Sequence, residues 1–165
     1  ILRSCLYSAA NVYDYLTSYL TQGYYALSLA LTEPWVPMFG VGNSMFLIEN
    51  VGELLNVDLY QYTYQARMEY LGVKPYANWH SFYVWVANDV HFIGALVLMY
   101  FLGILFGSIS KHAIANKDPL AIVILCMLFI MFAYLPANNQ ILSQPTTFMA
   151  FWCLTGYWFL RTHLN

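Results

Sequence analysis

The sequence has very little charge: 8% of its residues are Asp, Glu, Lys or Arg, and 61% are hydrophobic. A typical soluble domain has about 25% charged residues. Residues 91–110 contain no charged side chain, and neither do residues 119–160, where a polar stretch at 136–145 separates two apolar runs. A membrane-spanning helix needs about 20 apolar residues. The composition therefore argues against a soluble domain and predicts an all-α integral membrane protein.

Cysteine is also scarce. Cys5, Cys126 and Cys153 form an odd set, and two of them lie within apolar runs, where a free Cys behaves as a small hydrophobe. Their spacing matches neither a zinc site nor a disulfide framework. We expect no metal, no cofactor and no nucleic-acid partner. Because the chain starts at Ile1 rather than Met, we expect it to be the C-terminal portion of a larger polytopic protein.

Four membrane helices are predicted within a single membrane domain over residues 1–165. They cover residues 4–31, 90–110, 119–135 and 146–160. If these spans alternate in direction, four basic residues fall on the same side: Arg3, Lys111, Lys117 and Arg161. Cytoplasmic loops are enriched in Lys and Arg. That side is therefore predicted to be cytoplasmic, and the loop over residues 32–89 is predicted to lie outside, with six acidic residues against two basic ones.

The first span is unusually polar, with Asp14 and Gln22 at membrane depth. Charged residues inside spans are costly and generally face a protein interior or a wet cavity. Two interpretations stay open. Either the segment is half inserted or packed in a larger bundle, or it lines a cavity.

The outer loop is too long to be a simple connector. A turn at Gly40, Gly42 and Asn43 precedes a predicted short amphipathic helix, on which five apolar residues share one face: Leu47, Ile48, Val51, Leu54 and Leu55. Glu49 and Glu53 lie one turn apart on its polar face. A carboxylate pair can act as acid and base, but this spacing is more typical of a solvated helix face.

Aromatic residues are dense in the second half of this loop: Tyr60, Tyr62, Tyr64, Tyr70, Tyr76, Trp79, Phe82, Tyr83 and Trp85. An interfacial aromatic belt explains such a density. A platform for the apolar faces of sugar rings explains it as well. Composition favours the belt.

Arg67 and Lys74 are the only cations of the loop. Arg suits phosphate oxygens bidentately, and Lys offers a point charge. An equal alternative for Arg67 is a structural ion pair with Glu69 or Glu53. Asn88 or Asp89 is interpreted as the N-cap of the second span. His80 titrates near neutral pH and can move a proton.

Three stretches resemble bacterial polysaccharide polymerases of the Wzy type. The run Tyr19-Leu20-Thr21-Gln22-Gly23-Tyr24-Tyr25-Ala26-Leu27-Ser28-Leu29-Ala30-Leu31 is similar to their "QGYYGLSLAL" stretch, and Gly40-Val41-Gly42-Asn43-Ser44 is similar to their Gly-x-Gly-x-Ser turn. The segment from Trp79 to Asp89, followed by Phe92 and Gly94, resembles their Trp-x-Ser-x-Tyr…Asp…Phe-x-Gly block. The resemblance covers about residues 19–110. Ala26 replaces an expected Gly, and Asn43-Ser44 replaces an expected His before Ser.

The resemblance implies a glycosyltransferase of the bacterial inner membrane. Such enzymes polymerise oligosaccharide repeat units carried on undecaprenyl pyrophosphate, at the periplasmic face, without a metal, and a chain-length regulator is an expected partner besides the bilayer. The implied catalytic residues are Asp89 or His80 as base and Arg67 as pyrophosphate clamp. The implied substrate-binding residues are Lys74, Gln22, Tyr24, Asn43, Trp79 and Trp85.

Two alternatives remain open at this point. A polysaccharide ligase would have similar loop chemistry and differ only in its acceptor. A non-catalytic transporter or flippase subunit would use Asp14 and the polar first span to line a passage. A haem carrier is disfavoured because His91 and His112 lie at opposite ends of one span.

Overall fold

In the computed structural model, residues 2–74 and 77–164 are described, and every regular element among them is helical. The α-helices are α1 (Leu2–Ala30), α2 (Met45–Leu55), α3 (Tyr64–Arg67), α4 (Phe82–Ala115), α5 (Pro119–Tyr134) and α6 (Pro145–Leu164). Two 3₁₀ turns, Tyr60–Tyr62 and Glu69–Leu71, flank α3. The predicted all-helical fold class is confirmed. Tyr76 and the side chain of Arg3 lie outside the described part.

Four long helices occupy the positions of the four predicted spans. Among the described helices, α4 has the length and apolar composition to cross a membrane, with a mean hydropathy of 2.3 in its most apolar window. Helix α5 is apolar but has 16 residues. It begins sharply because the Asp118 side chain accepts a hydrogen bond from the Leu120 N–H at 3.1 Å and Pro119 occupies the first turn.

Helix α4 begins earlier than predicted, at Phe82, so Asn88 and Asp89 lie inside it and the N-cap interpretation is wrong. The cause is that these two polar side chains are satisfied by the folded loop rather than by the end of their own helix. At His91 the backbone leaves the helical region, with φ 61° and ψ 167°. This break divides α4 into a loop-side half and an apolar half that starts where the second span was predicted.

Helices α4, α5 and α6 form an antiparallel bundle around a shared apolar core. At one end, the His112 and Trp158 rings lie 5.2 Å apart and Arg161 forms an ion pair with Asp118. The core between the ends is built from buried residues of the three helices, including Ile109, Ala121, Ile124, Leu128, Met131, Phe151 and Trp158. The bundle therefore places Lys111, Lys117 and Arg161 at the same end, as the charge pattern predicted.

The described parts of the loop, residues 32–74 and 77–81, fold onto the opposite end of this bundle. The Phe82 N–H donates to the Leu135 carbonyl at 3.0 Å, and the Phe46 N–H donates to the Ser143 carbonyl at 3.2 Å. The buried Ser44 hydroxyl donates to the Leu142 carbonyl. The turn between α5 and α6 thus supports the loop directly, and the acidic segment lies at the end away from the basic residues.

The predicted amphipathic helix is present as α2, but its apolar stripe is divided. Ile48 is 3% exposed, whereas Leu54 is 83% exposed and Leu55 is also exposed. The chain reverses at Asn56, which has a left-handed backbone, so the end of the stripe turns away from the bundle. Glu49 and Glu53 are exposed, as expected for a solvated face.

Gly23 marks the point where α1 touches the turn between α5 and α6. A Cβ atom at this position would lie 1.8 Å from the Pro136 carbonyl oxygen, so the backbone would have to move. We expect Gly23→Ala to lower the free energy of unfolding by about 1–3 kcal/mol, the usual cost of overpacking. The measurement is thermal unfolding of the purified protein in detergent.

Gly103→Ala is the matched control, because its Cβ would meet nothing within 4 Å. It should stabilise α4 by about 0.5–1 kcal/mol through reduced backbone entropy of the unfolded chain. Equal melting temperatures for the two variants would contradict the close approach at Gly23.

Candidate active site

Asn88 joins three separate segments of the chain at the centre of the site. It is 1% exposed. Its Oδ1 accepts from the Tyr64 N–H at 2.8 Å, and its Nδ2 donates to the Gly42 carbonyl at 2.9 Å and to Gln65 Oε1 at 3.0 Å. Its own carbonyl accepts from the Met38 N–H at 3.1 Å. Asn88 therefore fixes the turn before α2 and helix α3 against α4.

Asp89 binds the same turn from the next position. Its Oδ1 accepts from the N–H groups of Gly40 and Gly42, both at 2.8 Å, and its Oδ2 accepts from Asn43 Nδ2 at 2.7 Å. Each carboxylate oxygen has about two acceptor positions. In these contacts, both positions of Oδ1 are filled and Oδ2 keeps one. Three donors thus orient the side chain, and its Oδ2 can still accept one further hydrogen bond.

The turn that wraps this carboxylate depends on glycine. Gly40 has φ 94°, in the left-handed region that glycine adopts without cost. A Cβ at Gly42 would lie 2.5 Å from the Cβ of Asn88, so only glycine allows this approach. We call the set formed by Gly40, Gly42, Asn43, Asn88 and Asp89 the carboxylate clamp. The sequence prediction that Gly40, Gly42 and Asn43 form a turn is confirmed.

A cavity of about 680 Å³ opens beside the carboxylate clamp. Asp89 and Asn43 line one part of it, so two residues predicted for the site meet there. The remainder is mostly apolar and comes from α4, from the α5–α6 region and from Phe39: Phe82, Val86, Val90, Val97, Leu98, Phe101, Leu102, Met131, Leu142, Phe151 and Trp152. The cavity therefore combines one polar corner with a long apolar wall.

Arg67 lies elsewhere, on α3. Its Nη1 donates to the Pro34 carbonyl at 2.8 Å and its Nε to the Tyr62 carbonyl at 3.2 Å. Its ion-pair partner is Glu33, with Nη1 3.9 Å from Oε2, rather than Glu69 or Glu53, the partners that the sequence suggests. The guanidinium also lies 4.8 Å from the centre of the Tyr64 ring. These contacts hold the start of the loop against α3.

The remaining predicted residues are distributed around the loop. Gln22 Oε1 accepts from the Trp79 N–H at 3.2 Å, which joins α1 to the loop. Tyr24 is 52% exposed, and the side chain of Lys74 is exposed. Trp85 is buried with Met38 and Ile48 beneath the turn, and His80 is 3% exposed. The structure thus brings Gln22 to Trp79 and Asn43 to Asp89.

Comparisons with models of protein families, with curated proteins and with solved structures gave no match.

Asn88 and Gln65 are site residues that the sequence pattern does not reveal. Gln65 is fully buried, although it lies in a polar and aromatic segment that looks solvated in sequence. The one available signal was the adjacent pair Asn88-Asp89 just before an uncharged run. That pair predicts a helix cap, because such residues are common at caps.

Tyr70 provides a pH-dependent test of the loop. Its Oη donates to Glu33 Oε1 at 2.5 Å, and this hydrogen bond raises the pKa of Tyr70 above its usual value of about 10. The stabilisation is present below the unfolded pKa and is lost as the pH rises through the folded pKa. The tyrosinate absorbance of Tyr70 is obtained as the difference between wild type and Tyr70→Phe. We expect it to appear at a higher pH than the absorbance of a free tyrosine.

Glu33→Gln removes the carboxylate and should shift that Tyr70 titration toward lower pH. A midpoint that does not move in the Glu33→Gln background would contradict the contact.

Proposed function

We propose that the chain belongs to a membrane glycosyltransferase that joins oligosaccharides carried on undecaprenyl pyrophosphate at the extracytoplasmic face. The observation that carries this proposal is the position of Asp89. Its oriented carboxylate forms the polar corner of a cavity whose other walls are apolar. A substrate with a sugar-phosphate head and a hydrocarbon tail matches both parts of such a cavity.

The exposure of the helices supports a membrane setting for this site. In the most apolar window of α4, 11% is buried, whereas the core helix of a soluble protein is mostly covered. Large apolar side chains on its surface are exposed, among them Ile93 (70%), Leu96 (68%) and Tyr100 (68%). A bilayer is the solvent that accommodates such a surface. The finer proposal is that α1, α4, α5 and α6 all span it.

The charge distribution supports the proposed orientation. Lys111, Lys117 and Arg161 lie at the end of the bundle opposite the carboxylate clamp. By the positive-inside rule, that end is cytoplasmic. The clamp and the cavity then lie at the periplasmic side of the bacterial inner membrane, where lipid-linked repeat units are presented for polymerisation.

In the proposed reaction, a sugar hydroxyl of the acceptor donates its hydrogen bond to the remaining acceptor position on Asp89 Oδ2. The hydroxyl oxygen attacks the anomeric carbon of the donor as its proton passes to the carboxylate. The bond between the anomeric carbon and the pyrophosphate oxygen breaks, and undecaprenyl pyrophosphate leaves. Asp89 is preferred over His80 as the base because Asp89 lines the cavity, whereas His80 is buried and is not among the residues that line it.

Arg67 has a different role in this proposal from that implied by the resemblance. Its Nε and Nη1 groups already bind the carbonyls of Tyr62 and Pro34, so we assign it to positioning α3. The Tyr64 N–H on α3 in turn fixes Asn88. Lys74 is exposed and is not among the residues that line the cavity, so its role toward the departing pyrophosphate rests on the resemblance alone.

The test is a reaction of the purified full-length protein with an undecaprenyl-pyrophosphate-linked oligosaccharide as both donor and acceptor. A ladder of products, each one repeat unit longer than the last, supports a polymerase. A single transferred block to a different lipid acceptor indicates the ligase. Bound substrate that is never extended indicates the transporter and refutes the proposed transfer.

A further inference from the structure

Phe39 has an unfavourable conformation that packing does not explain. It is a bulky residue with φ 52°, and the residue is 87% exposed. Non-glycine residues rarely adopt positive φ, and for a bulky residue the conformation is a genuine outlier. Residues kept in such conformations are concentrated at binding and catalytic sites.

The turn around Phe39 shows why the conformation persists. The Val41 N–H donates to the Met38 carbonyl at 3.2 Å, and both central residues, Phe39 and Gly40, have positive φ. This is the pattern of a type I′ turn, whose first central position favours Asn, Asp or Gly. The two ends of the turn are fixed because Met38 N–H binds the Asn88 carbonyl and Gly40 N–H binds Asp89.

The ring of Phe39 lies at the rim of the cavity. Phe39 and Gly40 both contribute to its lining, together with Asp89, Val90 and Val97. The exposed phenyl ring therefore shares one cavity with the apolar wall and with the proposed base. A hydrocarbon chain that enters the cavity would remove the ring from water.

We propose that Phe39 is a substrate-binding residue that covers the first prenyl units of the lipid-linked donor, next to its pyrophosphate. This rests on the proposed function, since it assigns a position to the lipid part of that substrate. The cost of the unfavourable turn conformation is then offset by substrate binding rather than by folding. The residue that would suit the turn best, Asn, would remove the apolar cover.

The test is specific because the turn favours Asn at position 39, whereas binding of a hydrocarbon chain favours Phe. Phe39→Asn should raise the melting temperature of the full-length protein in detergent, because Asn favours this turn position. The same variant should bind undecaprenyl phosphate in nanodiscs about tenfold more weakly and raise the KM for the lipid-linked oligosaccharide, with kcat nearly unchanged.

Phe39→Leu should keep most of the binding. Leu54→Asn, an exposed apolar residue outside the cavity, should leave binding at the wild-type level.

A lower melting temperature for Phe39→Asn would overturn the inference, since it would show that the ring serves folding. Unchanged binding by Phe39→Asn, with wild-type protein that extends the substrate, would overturn it and leave the proposed function intact. Wild-type protein that neither binds undecaprenyl phosphate nor extends the substrate would overturn both.

Discussion

Replacing Asn88 with alanine is expected to lower the free energy of unfolding by about 3–5 kcal/mol. The change leaves the Tyr64 N–H, the Gly42 carbonyl and Gln65 Oε1 without their Asn88 partner. Each unsatisfied buried polar group costs about 1–3 kcal/mol, and part of that cost is recovered by relaxation. The measurement is thermal unfolding in detergent, followed by circular dichroism.

Asn50→Ala is the matched control for this loss. Asn50 is exposed, and its Nδ2 makes one hydrogen bond, to the Phe46 carbonyl within α2. Its replacement should change the free energy of unfolding by about 0.5 kcal/mol or less. If Asn88→Ala and Asn50→Ala melted at the same temperature, Asn88 would not join the three segments as described.

Replacing Asp89 with asparagine is expected to reduce sugar transfer by about 10²–10⁴-fold, the usual contribution of a positioned general base. The amide oxygen can still accept from the N–H groups of Gly40 and Gly42, so the turn retains two of its anchors. The third anchor changes, because an amide nitrogen placed at the Oδ2 position would meet the Nδ2 donor of Asn43. The measurement is the initial rate of product formation at saturating lipid-linked oligosaccharide.

Glu49→Gln is the control for the loss of one loop carboxylate, since Glu49 is exposed on α2. It should transfer sugar at the wild-type rate. The melting temperature of Asp89→Asn separates a folding defect from a catalytic one, and binding of undecaprenyl phosphate should persist. An Asp89→Asn protein that retained more than about a tenth of the wild-type rate would rule out Asp89 as the base.

The helices were the predictable part of the fold. Long uncharged runs leave few alternatives to helix, and Asp118-Pro119 is a strong helix start, so α5 was predicted within a residue. The start of α4 was not predictable in the same way. In sequence, a buried Asn88 that is satisfied by distant backbone groups looks the same as a polar residue at a helix end. No Pro or Gly stands at the break at His91, so the sequence does not predict it.

The site was predictable only in part. The sequence points to Gly40, Gly42, Asn43 and Asp89, yet the contacts of Asp89 with the other three join residues 46 to 49 positions apart. Local patterns carry no information on such pairings. Arg67 illustrates the same limit, because the nearby carboxylates were considered as partners and the folded loop selects Glu33 instead.

The most direct test of the central claim is to ask from which side of a membrane the protein extends its substrate. The full-length protein would be reconstituted into vesicles, and a membrane-impermeant maleimide on Asp58→Cys, an exposed loop position, would report the orientation. The polar head of a lipid-linked oligosaccharide added from outside stays in the outer leaflet. We expect a product ladder only from vesicles in which the maleimide labels the cysteine at position 58. Extension by vesicles in which that position is protected would contradict a catalytic site in the outer loop.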